Sequence, residues 1–139
     1  MYERVLAAVD HSEAARSVLG AVQELALLSH GEVWVLHVQE REPLAKGGGM
    51  VSMETTSEAQ QVVDLAVDEL AQAGVKVHGE VRHSIYGYAA RVIVDSAAEH
   101  EAGTIVMGSK GRGDLAGLLL GSTAHKVIHL SDRPVLVVR

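Results

Sequence analysis

The segment TIVMGSKGRGDLAGLLLGST, residues 104–123, decides the fold that the sequence predicts. Its first four residues form a β-branched and apolar run typical of a buried strand, and a helix is predicted to begin at Ser122. Five glycines lie within 14 residues between that strand and that helix, at positions 108, 111, 113, 117 and 121. In open α/β proteins, ligands bind beyond the carboxyl ends of the strands, where a helix N-terminus attracts anions.

Glycine-rich main chain at such a position suits a phosphate. Without a Cβ, the backbone can turn with positive φ and approach phosphate oxygens closely. Ser122 and Thr123 can add hydroxyl donors, and Lys110 and Arg112 can add positive charge. The structural alternative is that the glycines only shape a loop and that Ser122 only caps the last helix. The position after a strand favours the phosphate site.

Three known motifs do not explain the segment. Residues 111–116 fit the G-x-G-x-x-A pattern of dinucleotide folds, but no later strand carries the required ribose-binding acid. The P-loop pattern with its lysine is missing, so P-loop hydrolysis is not supported. Neither Ser84 nor Ser109 lies in a G-x-S-x-G elbow, and we assign no catalytic residue.

Strand and helix patterns alternate along the rest of the chain. Strands are predicted at 5–9, 33–38, 75–82, 104–107 and 135–138, and helices from Ser12 to about 30, at 56–73, at 88–100 and at 122–130. Ser12 is expected to cap the first helix and Gly31 to end it in a left-handed conformation. Residues 40–53 are predicted to form a polar loop whose length suggests either mobility or a lid. This alternation predicts one α/β domain, with a parallel five-stranded sheet and four helices on both faces.

Composition limits the functional classes. The 139 residues suit a single core, and the lack of cysteine excludes disulfides and thiol chemistry and fits the cytoplasm. Neither a signal peptide nor a membrane span is indicated. A net charge of −6 argues against nucleic acid as a partner. Residues 1–107 carry a net −9 and residues 108–139 a net +3, which fits an anion near the last quarter of the chain.

The spacing Gly108-x2-Gly111-x9-Gly121-Ser122 matches the G-2x-G-9x-G-[ST] nucleotide motif of universal stress proteins. VLAAVDHSE at 5–13 resembles the opening strand and acidic turn of that family, and PVLVVR at 134–139 resembles its ending. The whole chain therefore resembles an ATP-binding universal stress protein.

This resemblance implies a Rossmann-like fold with strand order 3-2-1-4-5. It also implies that the ligand is ATP, bound together with Mg²⁺. It also implies a homodimer that pairs the last strand, 135–139, with its symmetry mate; the continuous apolar run there is consistent with a covered edge. The implied nucleotide-binding residues are Ala8, Val9, Asp10, Val38, Met107, Gly108, Gly111, Arg112, Gly113, Gly121, Ser122 and Thr123.

The chain departs from the family pattern at several positions. His11 replaces the commoner glycine after Asp10, Asp114 adds a negative charge to the phosphate loop, and positions 116 and 117 lack the basic residues often found there. Asp114 either binds Mg²⁺ or faces solvent. Asp10 either contacts ribose or magnesium or caps the first helix, and its place after the first strand favours ligand contact.

The histidines at 11, 37, 83, 100, 125 and 129 have a structural or a metal-binding interpretation, and without an H-E-x-x-H motif the structural one is favoured. Three functions stay open: an ATP-dependent stress-response regulator with at most slow hydrolysis, a nucleotide-independent interaction module, and a binder of AMP or cyclic AMP.

Overall fold

The computed structural model describes residues 1–45, 47–111, 117 and 119–139. Within these residues the strands are β1 (Arg4–Ala8), β2 (Glu32–Pro43), β3 (Met50–Ser52), β4 (Lys76–Ile85), β5 (Thr104–Gly108) and β6 (Val135–Val138). The helices are α1 (Ala14–Ser29), α2 (Thr56–Gln72), α3 (Ala89–Glu99) and α4 (Ser122–Leu130). No helix in the described ranges is long and apolar enough to cross a membrane.

Five of the strands form a parallel sheet in the order β4-β2-β1-β5-β6. In the numbering of the sequence prediction this is the order 3-2-1-4-5, so the predicted Rossmann-like open α/β fold is confirmed. The central strand is β1, whose last residue Ala8 lies beside Leu36 of β2 and Met107 of β5. Parallel neighbours of this kind require crossover helices, which the amphipathic segments supply.

Alternate residues of each buried strand supply two separate cores, as the two-residue period of a strand requires. Helices α1 and α2 cover one face, on a core that includes Val5, Val33, Val63, Leu70 and Val106. Helices α3 and α4 cover the other face, on a core that includes Leu6, Leu36, Ile93, Ile105 and Val127. Both faces of the central strands are therefore buried, which explains their continuous apolar sequences.

The segment predicted as a polar loop, 40–53, contains an antiparallel hairpin instead. Strand β2 continues to Pro43, and β3 pairs with its last three residues. Gly47, Gly48 and Gly49 all have positive φ, and the N–H of Leu44 donates to the Gly49 carbonyl over 3.0 Å. The three glycines thus form the reversal that a residue with a Cβ rarely adopts.

Strand β3 lies on the same side of β2 as β1. Arg41 is paired with Ile85 of β4 and with Ser52 of β3, so the two neighbours must occupy opposite edges of β2. Because β1 has ended at this level, β3 continues in line with it. This arrangement brings the chain after β3 close to the carboxyl end of β1.

Two predicted helix ends were wrong. Glu13, not Ser12, is the N-cap of α1, and no side-chain hydrogen bond caps this helix. The left-handed residue at its end is His30, with φ of 53°, rather than Gly31. Gly31 is required for another reason, because a Cβ there would lie 2.6 Å from the carbonyl oxygen of Tyr2.

Trp34 of β2 is stacked on two imidazole rings. Its ring is stacked on that of His78 from β4, with centroids 4.8 Å apart, and on that of His100 after α3, with centroids 5.1 Å apart. This stack joins the edge strand β4 to the end of α3.

Candidate functional site

A cleft opens at the carboxyl ends of β1, β2 and β5. Strand β1 leads through α1 to β2 on one side, whereas β5 lies on its other side, so the strand order reverses here. In open α/β sheets, ligands bind in the crevice at such a switch point. We call this crevice the main cleft.

The main cleft brings together eight of the predicted site residues: Ala8, Val9, Asp10, Val38, Met107, Gly108, Gly111 and Thr123. Gly121 and Ser122 lie directly before Thr123, at the N-terminus of α4. Arg112, Gly113, Asp114 and Ala116 lie outside the described residues. Lys110, which the sequence analysis proposed as a source of positive charge, also lines the cleft. Further lining residues were not predicted as ligand contacts, among them Ser12, Leu36, His37, Glu40, Ile93 and Ala124.

The main chain of Val38 faces the main cleft because of the direction in which the peptide groups of β2 point. The Leu36 carbonyl accepts a hydrogen bond from the Val9 N–H at 2.9 Å, so the peptide groups of Leu36 point toward β1. Peptide groups two residues apart on a strand point the same way. Those of Val38 therefore face the space beyond the end of β1.

Asp10 follows the end of β1, and its side chain has a defined main-chain contact. Its Oδ1 accepts a hydrogen bond from the Ser12 N–H over 2.8 Å, which shapes the turn into α1. Both residues line the main cleft. The two interpretations of Asp10, as a turn-forming group and as a ligand contact, are therefore compatible in one geometry.

Gly108 permits a close approach at the end of β5. An added Cβ would lie 3.1 Å from the Ala14 Cβ and 3.3 Å from the Lys110 carbonyl oxygen. Both distances are shorter than ordinary van der Waals contact, so a larger residue would push the start of α1 or the glycine-rich segment away from the cleft.

A second, open groove adjoins the main cleft and shares Ser12, Lys110 and Gly111 with it. Its wall also includes Arg139 and Glu13. We call it the side groove. Lys110, Arg139 and the N-terminus of α1 favour negative charge there, whereas the Glu13 carboxylate opposes it.

The end of the main cleft away from the side groove is acidic. Glu40 lines it, and its Oε2 accepts the Gly87 N–H over 2.7 Å. An anionic group in the cleft is therefore favoured toward Lys110 and away from Glu40. The wall between them is mostly apolar, with Leu36, Ile93, Met107 and Ala124 among its residues.

Sequence reasoning missed a cluster beside the main cleft, formed by His11, His37 and Glu54. The Glu54 Oε2 contacts the His11 Nε2, and the Glu54 Oε1 contacts the His37 Nε2. The three side chains are separated by 26 and 17 residues in the sequence, so no local spacing signals the cluster. It forms because β3 returns the chain to the end of β1.

Together, the parallel sheet, the cleft at its switch point and the helix N-terminus beside it define a Rossmann-like α/β protein with a preformed crevice. The model of the universal stress protein family matches residues 1–139. The chain belongs to the universal stress protein family.

Relatives align over the full chain. Universal stress protein A homolog 1 of Coxiella burnetii is 32% identical over 99% of this chain and 96% of its own length. The solved structure of MJ0577, a universal stress protein of Methanocaldococcus jannaschii, has a TM-score of 0.81 at 30% identity and covers 99% of this chain and 96% of its own. A universal stress protein of Archaeoglobus fulgidus, solved in complex with dAMP, has a TM-score of 0.76 at 28% identity and covers 99% and 98%.

Proposed function

We propose that the protein binds an adenine nucleotide, ATP with Mg²⁺, in the main cleft and acts as a ligand-dependent regulator in a stress response. The observation that carries this proposal is the cleft at the switch point, whose apolar wall joins a groove containing Lys110 and Arg139. The dAMP complex of the Archaeoglobus fulgidus relative supports an adenine ligand.

The base would occupy the apolar part of the cleft. The Val38 main chain faces this space and offers one donor and one acceptor, a pair that suits the edge of adenine. Asp10 lies at the end of β1, where its carboxylate can accept a hydrogen bond from a ribose hydroxyl.

The phosphates would extend toward Lys110 and the side groove. This direction places negative charge beside two cations and away from Glu40. The N-terminus of α4, with Ser122 and Thr123, adds the positive end of a helix dipole.

Magnesium would neutralise part of the phosphate charge. Asp10 is the cleft carboxylate on the phosphate side, and its oxygen chemistry fits Mg²⁺, directly or through water. Since the P-loop lysine is missing from the sequence, we propose that bound ATP acts by its presence rather than by rapid turnover.

A monophosphate is the second candidate. The dAMP complex of the relative favours it, since that ligand carries one phosphate. Here the contacts at the base and ribose would supply most of the binding energy, and the side groove would add little.

Calorimetric titration of the nucleotide-free protein with ATP, ADP, AMP and cyclic AMP, each with and without Mg²⁺, tests these candidates. Tightest binding by ATP with Mg²⁺ supports the first, and equal affinities for ATP and AMP support the second. Lack of binding by all four overturns both and leaves the nucleotide-independent module. Hydrolysis at about 1 per second or faster would contradict the regulatory role.

We also propose that the protein is a cytoplasmic homodimer. β6 is an edge strand that pairs with β5 alone among the described strands, and Leu136 on it is 40% exposed. Pairing of β6 with a second copy would cover this apolar edge.

A further inference from the structure

We propose that His11, His37 and Glu54 form a binding site for one Zn²⁺ ion, separate from the nucleotide's magnesium. The three ligating atoms lie within 4.8 Å of one another. Two imidazoles and one carboxylate are a set that Zn²⁺ uses when a water completes its tetrahedral coordination.

The contacts of His37 require a proton or a metal ion between its ring and Glu54. Its Nδ1 lies 2.8 Å from the Val9 carbonyl oxygen, which only accepts, so Nδ1 carries a proton. Its Nε2 lies 2.6 Å from the Glu54 Oε1, which also accepts when ionised. Either a second proton or a metal ion must lie between these two atoms.

His11 approaches the same carboxylate from the other side. Its Nε2 contacts the Glu54 Oε2, and its ring meets that of His37 edge to face with centroids 5.5 Å apart. An ion placed among the three groups would replace the protons of two hydrogen bonds. Tetrahedral ligands of Zn²⁺ lie about 3.4 Å apart, so shifts of roughly 1 Å suffice.

Neighbouring groups hold the cluster in position. The bond from His37 Nδ1 to a main-chain carbonyl is the usual support of a metal-binding histidine, because it fixes the tautomer and the ring orientation. The Gln39 side chain donates to the Glu54 carbonyl over 3.0 Å. The next residue, Thr55, forms a capping box with Glu58 that anchors the start of α2.

Burial is uneven in a way that suits an ion with an exchangeable water. The side chains of His37 and Glu54 are 5% and 9% exposed, whereas that of His11 is 30% exposed. The site is therefore closed on the sheet side and open on the His11 side. Mg²⁺ is disfavoured because it prefers oxygen ligands in octahedral geometry.

The test uses untagged, chelator-treated protein without nucleotide, so its outcome does not depend on the proposed nucleotide function. Calorimetric titration with Zn²⁺ should show one ion per chain, with a dissociation constant of about 1 μM or below, and Mg²⁺ should show no binding. Co²⁺ should give the intense visible bands of a tetrahedral site.

His11→Gly and Glu54→Gln should each weaken Zn²⁺ binding by about 100-fold or more. His129→Gln is the matched control, because His125 and His129 lie four residues apart on the exposed side of α4 and could bind an ion themselves. Since His11 is partly exposed, its variant should keep the fold, which thermal unfolding checks. Lack of Zn²⁺ binding, equal binding of Mg²⁺, unchanged affinity in His11→Gly, or loss of binding in His129→Gln would overturn the proposal.

Discussion

The Gly121 N–H donates to the carbonyl oxygen of Ser109 over 2.6 Å, and this bond joins the two ends of the glycine-rich segment. The N–H of Ser109 in turn donates to the Val138 carbonyl over 2.8 Å. The end of β5, the start of α4 and the end of β6 are thus connected by main-chain bonds that a side-chain substitution leaves in place.

Gly121→Val should therefore lower nucleotide affinity and keep the fold. Gly121 has φ of −72° and ψ of 163°, which valine adopts readily, but its branched side chain would project near the proposed phosphate site. We expect ATP to bind at least about tenfold more weakly by calorimetry.

Gly20→Val is the control, because Gly20 lies on α1 and an added Cβ there has no heavy atom within 4 Å. Unchanged ATP affinity in Gly121→Val would remove the phosphate-site assignment of the α4 N-terminus.

Leu136→Lys should convert the proposed dimer into a monomer. A lysine on the edge strand β6 would bring two like charges together across a two-fold interface, and dimerisation would have to bury both of them. Sedimentation equilibrium should give the mass of two chains for the parent protein and of one chain for the variant. Leu28→Lys, at a 75% exposed position on α1, should leave the dimer intact. A monomeric parent protein would contradict the proposal.

Gly79→Ala should destabilise the fold by about 1 to 3 kcal/mol. An added Cβ on β4 would lie 2.4 Å from Val63 Cγ1 and 2.7 Å from Val67 Cγ2, both on α2. Gly20→Ala should have the opposite sign and stabilise α1 by about 0.5 to 1 kcal/mol. Urea unfolding of the two variants measures both changes in unfolding free energy. A change of the same sign in both variants would show that α2 does not pack against β4 at Gly79.

Glu80→Gln should destabilise the fold in a pH-dependent way. Burial raises the pKa of Glu80, but the hydrogen bonds from Ser96 and His100 and the charge of Arg82 outweigh it and hold the pKa below its ordinary value of 4.5. A carboxyl whose pKa is lowered on folding stabilises the protein above its unfolded pKa, and this contribution disappears as the pH falls through the folded value.

The difference in unfolding free energy between parent and Glu80→Gln should be about 1 kcal/mol at pH 7 and should shrink below pH about 4. Denaturant unfolding at several pH values measures it. Glu24→Gln, at an exposed position on α1, is the control. A difference that does not change with pH would contradict the role of the Glu80 charge.

The order of elements was predictable because the buried strands and amphipathic helices have distinct periods. The helix beginning at Ser122 and the strand ending at Val138 have the predicted bounds. The helix after Thr55 was predicted within one residue at its end. Three-dimensional packing decided the details that failed. His30 takes the left-handed conformation, and Gly31 lies where the Tyr2 carbonyl oxygen leaves no room for a Cβ.

The main cleft was predictable in part, since strand ends in a parallel sheet meet at one edge. The hairpin in 40–53 was not, because β3 has three residues and too short a run for periodicity to appear. The position of Glu54 depends on that hairpin. His11 and His37 therefore had no visible partner in the sequence, and their contacts with one carboxylate emerged only from the fold.

Trp34 is the single tryptophan of the chain. Since its indole is stacked on both His78 and His100, its fluorescence reports on one place, where the edge strand and the end of α3 meet. The protein thus carries an internal optical reporter of detachment of that edge, one that needs no label.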